Sequence, residues 1–139
     1  MATYSTYVNG ETIASTGGAY TAAPDHGVLR GVYDATKRNG AAADIFQVIN
    51  VPAGTFVARV FTKILTGQSA QTISVGDGDD ADGWDATASA ATSGTIILGD
   101  GALNAGKLYS TADTIDITVP STMAYTTLKV EIIAFCQFV

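Results

Sequence analysis

One cysteine, one histidine, one tryptophan, two glutamates and three prolines occur in 139 residues. With Cys136 alone there is no intrachain disulfide and no cysteine-ligated zinc site, so a disulfide scaffold and dithiol redox chemistry are both excluded. The single histidine, His26, lies in the Pro- and Gly-flanked stretch APDHG with no G-x-S-x-G elbow elsewhere, and reads as a turn residue rather than a triad member. Glu11 and Glu131 are the only glutamates, so paired acid and base work would fall on aspartates gathered mostly in one loop. This inventory argues against an enzyme.

No apolar run approaches the roughly 20 residues of a membrane helix. The opening MATYSTYVNG has neither the basic nor the apolar part of a signal peptide. The expectation is a chain neither exported by a standard signal nor embedded in lipid. Basic residues are also scarce: seven against thirteen acidic, a net charge of −6. Neutralising phosphates cannot then supply binding energy over the whole surface, and nucleic acid is not an expected partner. Only 14% of residues are charged, which describes a surface suited to contact with other protein. A chain of this length fits one domain and buries roughly two-thirds of its unfolded surface, so it needs no metal or disulfide to fold.

What is present is strand-forming sequence. Residues 28–34, 44–50, 56–65, 71–76, 95–98, 114–119 and 127–138 are β-branched and aromatic runs, most of them separated by Gly, Pro, Asn or Asp. In the sixth, Ile115, Ile117 and Val119 alternate with Asp116 and Thr118; in the last, Leu128, Val130, Ile132, Ala134, Cys136 and Phe138 share one face. The other face of that strand turns apolar towards its end, with Ile133 and Phe135, and is expected to be covered. Strict alternation in 56–65 puts Phe56, Ala58, Val60 and Ile64 on one face, and Val57, Phe61 and Leu65 with Arg59 and Lys63 on the other. That mixture suits a central strand or one against a neighbouring subunit.

Residues 35–43 contain Asn39 and Gly40 and read as a loop or at most a turn of helix. The fold class is therefore all-β, an antiparallel β-sandwich over 28–139. The long gap between 77 and 94 suits a jelly roll with one extended loop better than a regular up-and-down barrel. Residues 1–27, rich in Thr, Ser, Gly and Ala with Tyr4, Tyr7 and Tyr20 interspersed, read as an extended N-terminal arm that orders against a partner, or as a short edge strand.

The segment GDGDDADGWD at 76–85 holds Asp77, Asp79, Asp80, Asp82 and Asp85. Gly76, Gly78 and Ala81 match a dinucleotide fingerprint, but no helix follows to receive a pyrophosphate and the aspartates would repel it. As an EF-hand it fails at both anchoring ligands, where Gly78 and Ser89 stand. Two readings remain: a Ca2+ site of another kind, relieving repulsion among crowded carboxylates, or a solvated Asp-Gly turn. Trp84 is the candidate for stacking on a sugar ring, or else folds back over the end of the sandwich.

The phrases INVPAGTFVARVFTKILTGQSAQTISVGDGDDADG at 49–83, AGKLYSTADTIDITV at 105–119 and VEIIAFCQF at 130–138 resemble, in content and order, small head decoration or cement proteins of tailed bacteriophages. The resemblance spans about two-thirds of the chain and is weakest over residues 1–43. It implies a non-enzymatic virion protein of β-sandwich type, made in the host cytoplasm. Such a protein forms a homotrimer on the outer capsid surface and bridges major capsid proteins. Without the resemblance, a sugar- or receptor-binding sandwich of a tail, fibre or surface appendage is the competing class, with Trp84 and nearby aspartates at its site.

Overall fold

The computed structural model describes residues 2–5 and 26–138. Ten strands occur among them: β1 (Thr3–Ser5), β2 (His26–Asp34), β3 (Ile45–Val51), β4 (Thr55–Thr66), β5 (Thr72–Asp77), β6 (Asp85–Ser89), β7 (Ile96–Leu98), β8 (Lys107–Tyr109), β9 (Asp113–Thr118) and β10 (Lys129–Phe138), with one 3-10 turn at Ala102–Ala105. The first sheet has the order β1-β3-β9-β5-β6 and the second β2-β10-β4-β7, with β8 also on β4. All pairs are antiparallel except β1 on β3. The result is an all-β sandwich, as the alternating patterns require.

Pairing is nested: β2 with β10, β3 with β9, β4 with β7 and β5 with β6. The turn VPAGT, with Gly54 at φ 83°, carries the chain from the first sheet to the second. Gly31 of β2 lies so close to β3 that a Cβ would run into the Val48 carbonyl, which closes one corner of the sandwich. Between the sheets pack Phe46, Ile49, Ile73, Ile115 and Ile117 from one side and Leu29, Val60, Ile64, Val130 and Ile132 from the other. Each contributes about 1.5–3 kcal/mol of transfer free energy.

Two expectations are corrected. Strict alternation fails in β4, because the β10 register slips between Phe135 opposite Arg59 and Cys136 opposite Val57. A bulge at Ala58 thereby sends Thr55, Val57, Val60, Thr62 and Ile64 inward and leaves Phe56, Arg59, Phe61, Lys63 and Leu65 outside. The gap 77–94 is also no extended loop: Asp85–Ser89 pairs with β5. Its sequence DATAS has only alanine as apolar residue and Thr87 as its single β-branched one, so its sequence signal is weak and its strand form comes from pairing along β5.

Other readings stand. Residues 35–43 form turns, with Lys37 and Arg38 amides donating to the Asp34 carbonyl. Cys136 faces the core, and burial pushes its thiol up to about 12. The reading of His26 as a turn residue does not stand, because His26 opens β2.

Candidate functional site

The acidic loop begins where β5 ends. Asp77 continues the inward face of Ile73 and Val75, and its side chain is 0% exposed. A buried carboxylate is costly unless it is fully hydrogen-bonded, and four donors meet this one. Oδ1 accepts from the Asp79 and Asp80 amides at 3.0 Å each. Oδ2 accepts from Lys107 Nζ and Tyr109 Oη, both at 2.7 Å. Tyr109 Oη in turn accepts from Trp84 Nε1 at 3.2 Å, and the Lys107 ammonium lies 4.8 Å from the Tyr109 ring centre. Strand β8 supplies both partners, because Lys107 and Tyr109 alternate about Leu108.

The electrostatics follow from this packing. Burial works to raise the Asp77 carboxyl, yet the bonds from Lys107, Tyr109 and the two amides outweigh it and hold it below the ordinary value. Burial likewise works against the Lys107 charge, but Asp77 and Asp79 hold its pKa above normal. The Tyr109 phenol is raised by burial and by donating to Asp77.

Of the five aspartates singled out as a Ca2+ site, only Asp77 and Asp79 come together. Asp113, at the start of β9, joins them, with one oxygen of each within 4.8 Å of the others. Asp80, Asp82 and Asp85 stand outside this group. The repulsion that a hard cation would relieve is already met by Lys107, which touches Asp77 at 2.7 Å and Asp79 at 3.3 Å. Asp85 is buried, and burial together with the charge of Asp100 raises its carboxyl. The loop is a solvated turn only in part: Asp79 and Asp82 are exposed, while Asp77 and Asp85 are not.

Trp84 is fully buried and spends its indole N–H on Tyr109, so its ring has no free face to stack on a sugar. The loop folds it inward because Trp84 N bonds the Val75 carbonyl, and Asn104 holds the Trp84 carbonyl.

Sequence reasoning did not single out Asp116, which faces outward from β9 opposite Gln47 and Gly76 yet is only 6% exposed. Gly76 has no side chain because the Asp80 carbonyl and Ala81 lie where a Cβ would go. Burial pushes the Asp116 carboxyl up to about 7, with the charges of Asp113 and Asp77 adding to it and a Thr114 hydrogen bond opposing it. Its Oδ1 has no hydrogen-bond partner among the described residues.

Two surfaces complete the picture. At the edge of the first sheet, Tyr4 lies in β1 opposite Phe46, and Tyr7 and Tyr20 lie outside the described residues. Asp44 fastens this strand: its Oδ1 accepts from the Ala2 amide at 3.1 Å and its Oδ2 from Ala41 at 3.0 Å. Thus residues 3–5 form the short edge strand that was one reading of the arm. On the second sheet, the outward side of β10, β4, β7 and β8 carries the exposed large apolar residues: Phe135 at 45%, Ile96 at 62%, Leu98 at 47% and Leu108 at 53%. Phe61 meets Phe135 edge to face at 5.4 Å.

No family model matches the chain, and no curated protein matches its sequence. Solved structures do match. A chain in the capsid of Ralstonia phage GP4 superposes with a TM-score of 0.63 at 14% identity, over 83% of this chain and 85% of that one. A chain in the cyanophage Pam1 capsid asymmetric unit gives 0.55 at 20% identity, over 83% and 87%. A chain in the acidic stable capsid structure of Helicobacter pylori bacteriophage KHP30 gives 0.52 at 12% identity, over 82% and 88%. The fold of this protein is one that chains of phage capsids share.

Proposed function

We propose that this protein is a non-enzymatic virion component, a decoration or cement protein that sits on the outer surface of a phage capsid as a homotrimer and bridges major capsid proteins. The observation that carries the reading is the likeness to chains of three phage capsids over 82–83% of this chain and 85–88% of theirs. Equal shares mean that those chains are of about this length, small like an accessory rather than large like a shell with an added domain. The nested pairing of β2 with β10, inward to β5 with β6, supports the reading of a jelly roll, an architecture found in viral capsid and lectin domains. The competing reading, a sugar- or receptor-binding sandwich, loses its stacking residue with Trp84 inside the core.

Such a protein acts through binding energy alone. A ligand that binds the assembled shell and not its separated parts stabilises the shell by mass action, and many copies multiply a modest contact. In this reading the N-terminal arm, with Tyr4, Tyr7 and Tyr20, lies along the shell, and the exposed carboxylates of the loop keep the particle soluble. Deleting residues 2–20 tests it. The sandwich should stay folded by circular dichroism, with a melt lowered by the loss of β1, while co-sedimentation with shells lacking this protein should drop severalfold. Full occupancy by the truncated chain would refute the arm's role, and failure of the intact chain to bind any shell would refute the reading as a whole.

A further inference from the structure

Every exposed large apolar residue among the described residues lies on the outward side of the second sheet. The same side carries Arg30, Arg59, Lys63 and Lys129 against two acids, Glu131, which pairs with Arg30 at 3.5 Å, and Asp34, opposite Lys129. Arg59 and Lys63 have no ion pair among the described residues. In a chain of net charge −6, a face that is both apolar and positive is out of keeping with the rest. The opposite character stands at the end of the sandwich, where Asp79, Asp82 and Asp100 are exposed. The chain therefore presents two patches of complementary character.

We propose that the outward face of the second sheet docks the acidic loop end of a second copy of this chain, joining copies head to tail into a closed ring. Face-to-face stacking of two such sheets would oppose Arg59 and Lys63 of both copies, and like charges across an interface are disfavoured. A heterologous contact brings unlike patches together, and such contacts close into rings when the rotation allows. Four strands about 4.8 Å apart, rising about 3.4 Å per residue over the ten residues of β10, offer on the order of 600 Å2. A stable interface takes about 800 Å2 per partner, and the face offers most of one partner's share.

This inference rests on the self-association in the reading above but not on shell binding. Light scattering on the purified full chain at low salt should give a multiple of 14.2 kDa. Arg59→Glu with Lys63→Glu should reduce the mass to that of one chain while the circular dichroism melt persists, and Asp82→Lys with Asp100→Lys should do the same. The variant carrying all four reversals should regain the multimer, because its patches are again complementary. If a reversal fails to fold, Phe135→Ser removes apolar area without changing charge, and its mass must fall. A single-chain mass for the unaltered protein overturns the proposal. So does an unchanged mass in either double reversal, or a fourfold variant that stays single. No readout involves a shell, so failure here is distinct from failure to bind one.

Discussion

Two regions of this molecule depart from the usual partition of polar and apolar groups, in opposite senses. Around Asp77 charged and polar groups are buried, and on the outward side of the second sheet large apolar groups are exposed. The first departure is resolved within the chain, since Lys107, Tyr109 and two amides meet every need of the carboxylate. The second has no such internal resolution. An inverted environment that is satisfied from within marks architecture, and one left unsatisfied marks a surface meant for another molecule. The acidic loop drew most notice as sequence, yet its buried Asp77 belongs to the first kind.

The sharpest way to break this contrast is to remove the partner of the buried charge. Lys107→Met should cost about 3 kcal/mol in chemical denaturation, because it leaves Asp77 without its cation, whereas a loop-only role predicts almost no loss. Next comes Asp116, whose folded pKa of about 7 lies above its ordinary 3.8. The unfolded chain releases this proton first, so stability falls as pH rises from about 4 to about 7 and is level above that. Asp116→Asn should flatten that slope, which amounts to about 4 kcal/mol over the window. Asp77 has the reverse sign: its pKa is held low, so its contribution is present above pH 4 and lost as pH falls through the folded value. Acid titration of the two variants separates the two groups.

Smaller effects follow. Tyr109→Phe removes one donor to Asp77 and the acceptor of the Trp84 N–H, and should cost about 1 to 1.5 kcal/mol by thermal or urea melts. Phe135→Ser on the exposed face should change the stability of the single chain by under about 0.5 kcal/mol, while changing its self-association. A large loss of fold stability there would show that the face serves the core after all.

All seven strand runs were legible because period-2 alternation and β-branched content reflect one buried face, which is a local property. What escaped depends on pairing at a distance. Strand β6 is a strand because β5 runs beside it, and the bulge at Ala58 appears only in the register against β10. Asp77 and Lys107 are 30 residues apart, and Asp113 stands 36 beyond Asp77 in number, so no spacing rule could join them. The inward turn of Trp84 and the burial of Asp116 likewise follow from how the loop lies over Gly76, which appears in sequence only as a glycine among several.

The last strand of the sandwich, β10, is central in its sheet, hydrogen-bonded to β2 on one side and β4 on the other. A ribosome making this chain therefore releases β2 and β4 long before the segment that joins them. Folding must wait for residues 129–138, and until then two apolar strands await their shared neighbour. Slow folding, delayed until β10 has emerged, with a window of chaperone dependence, is the consequence.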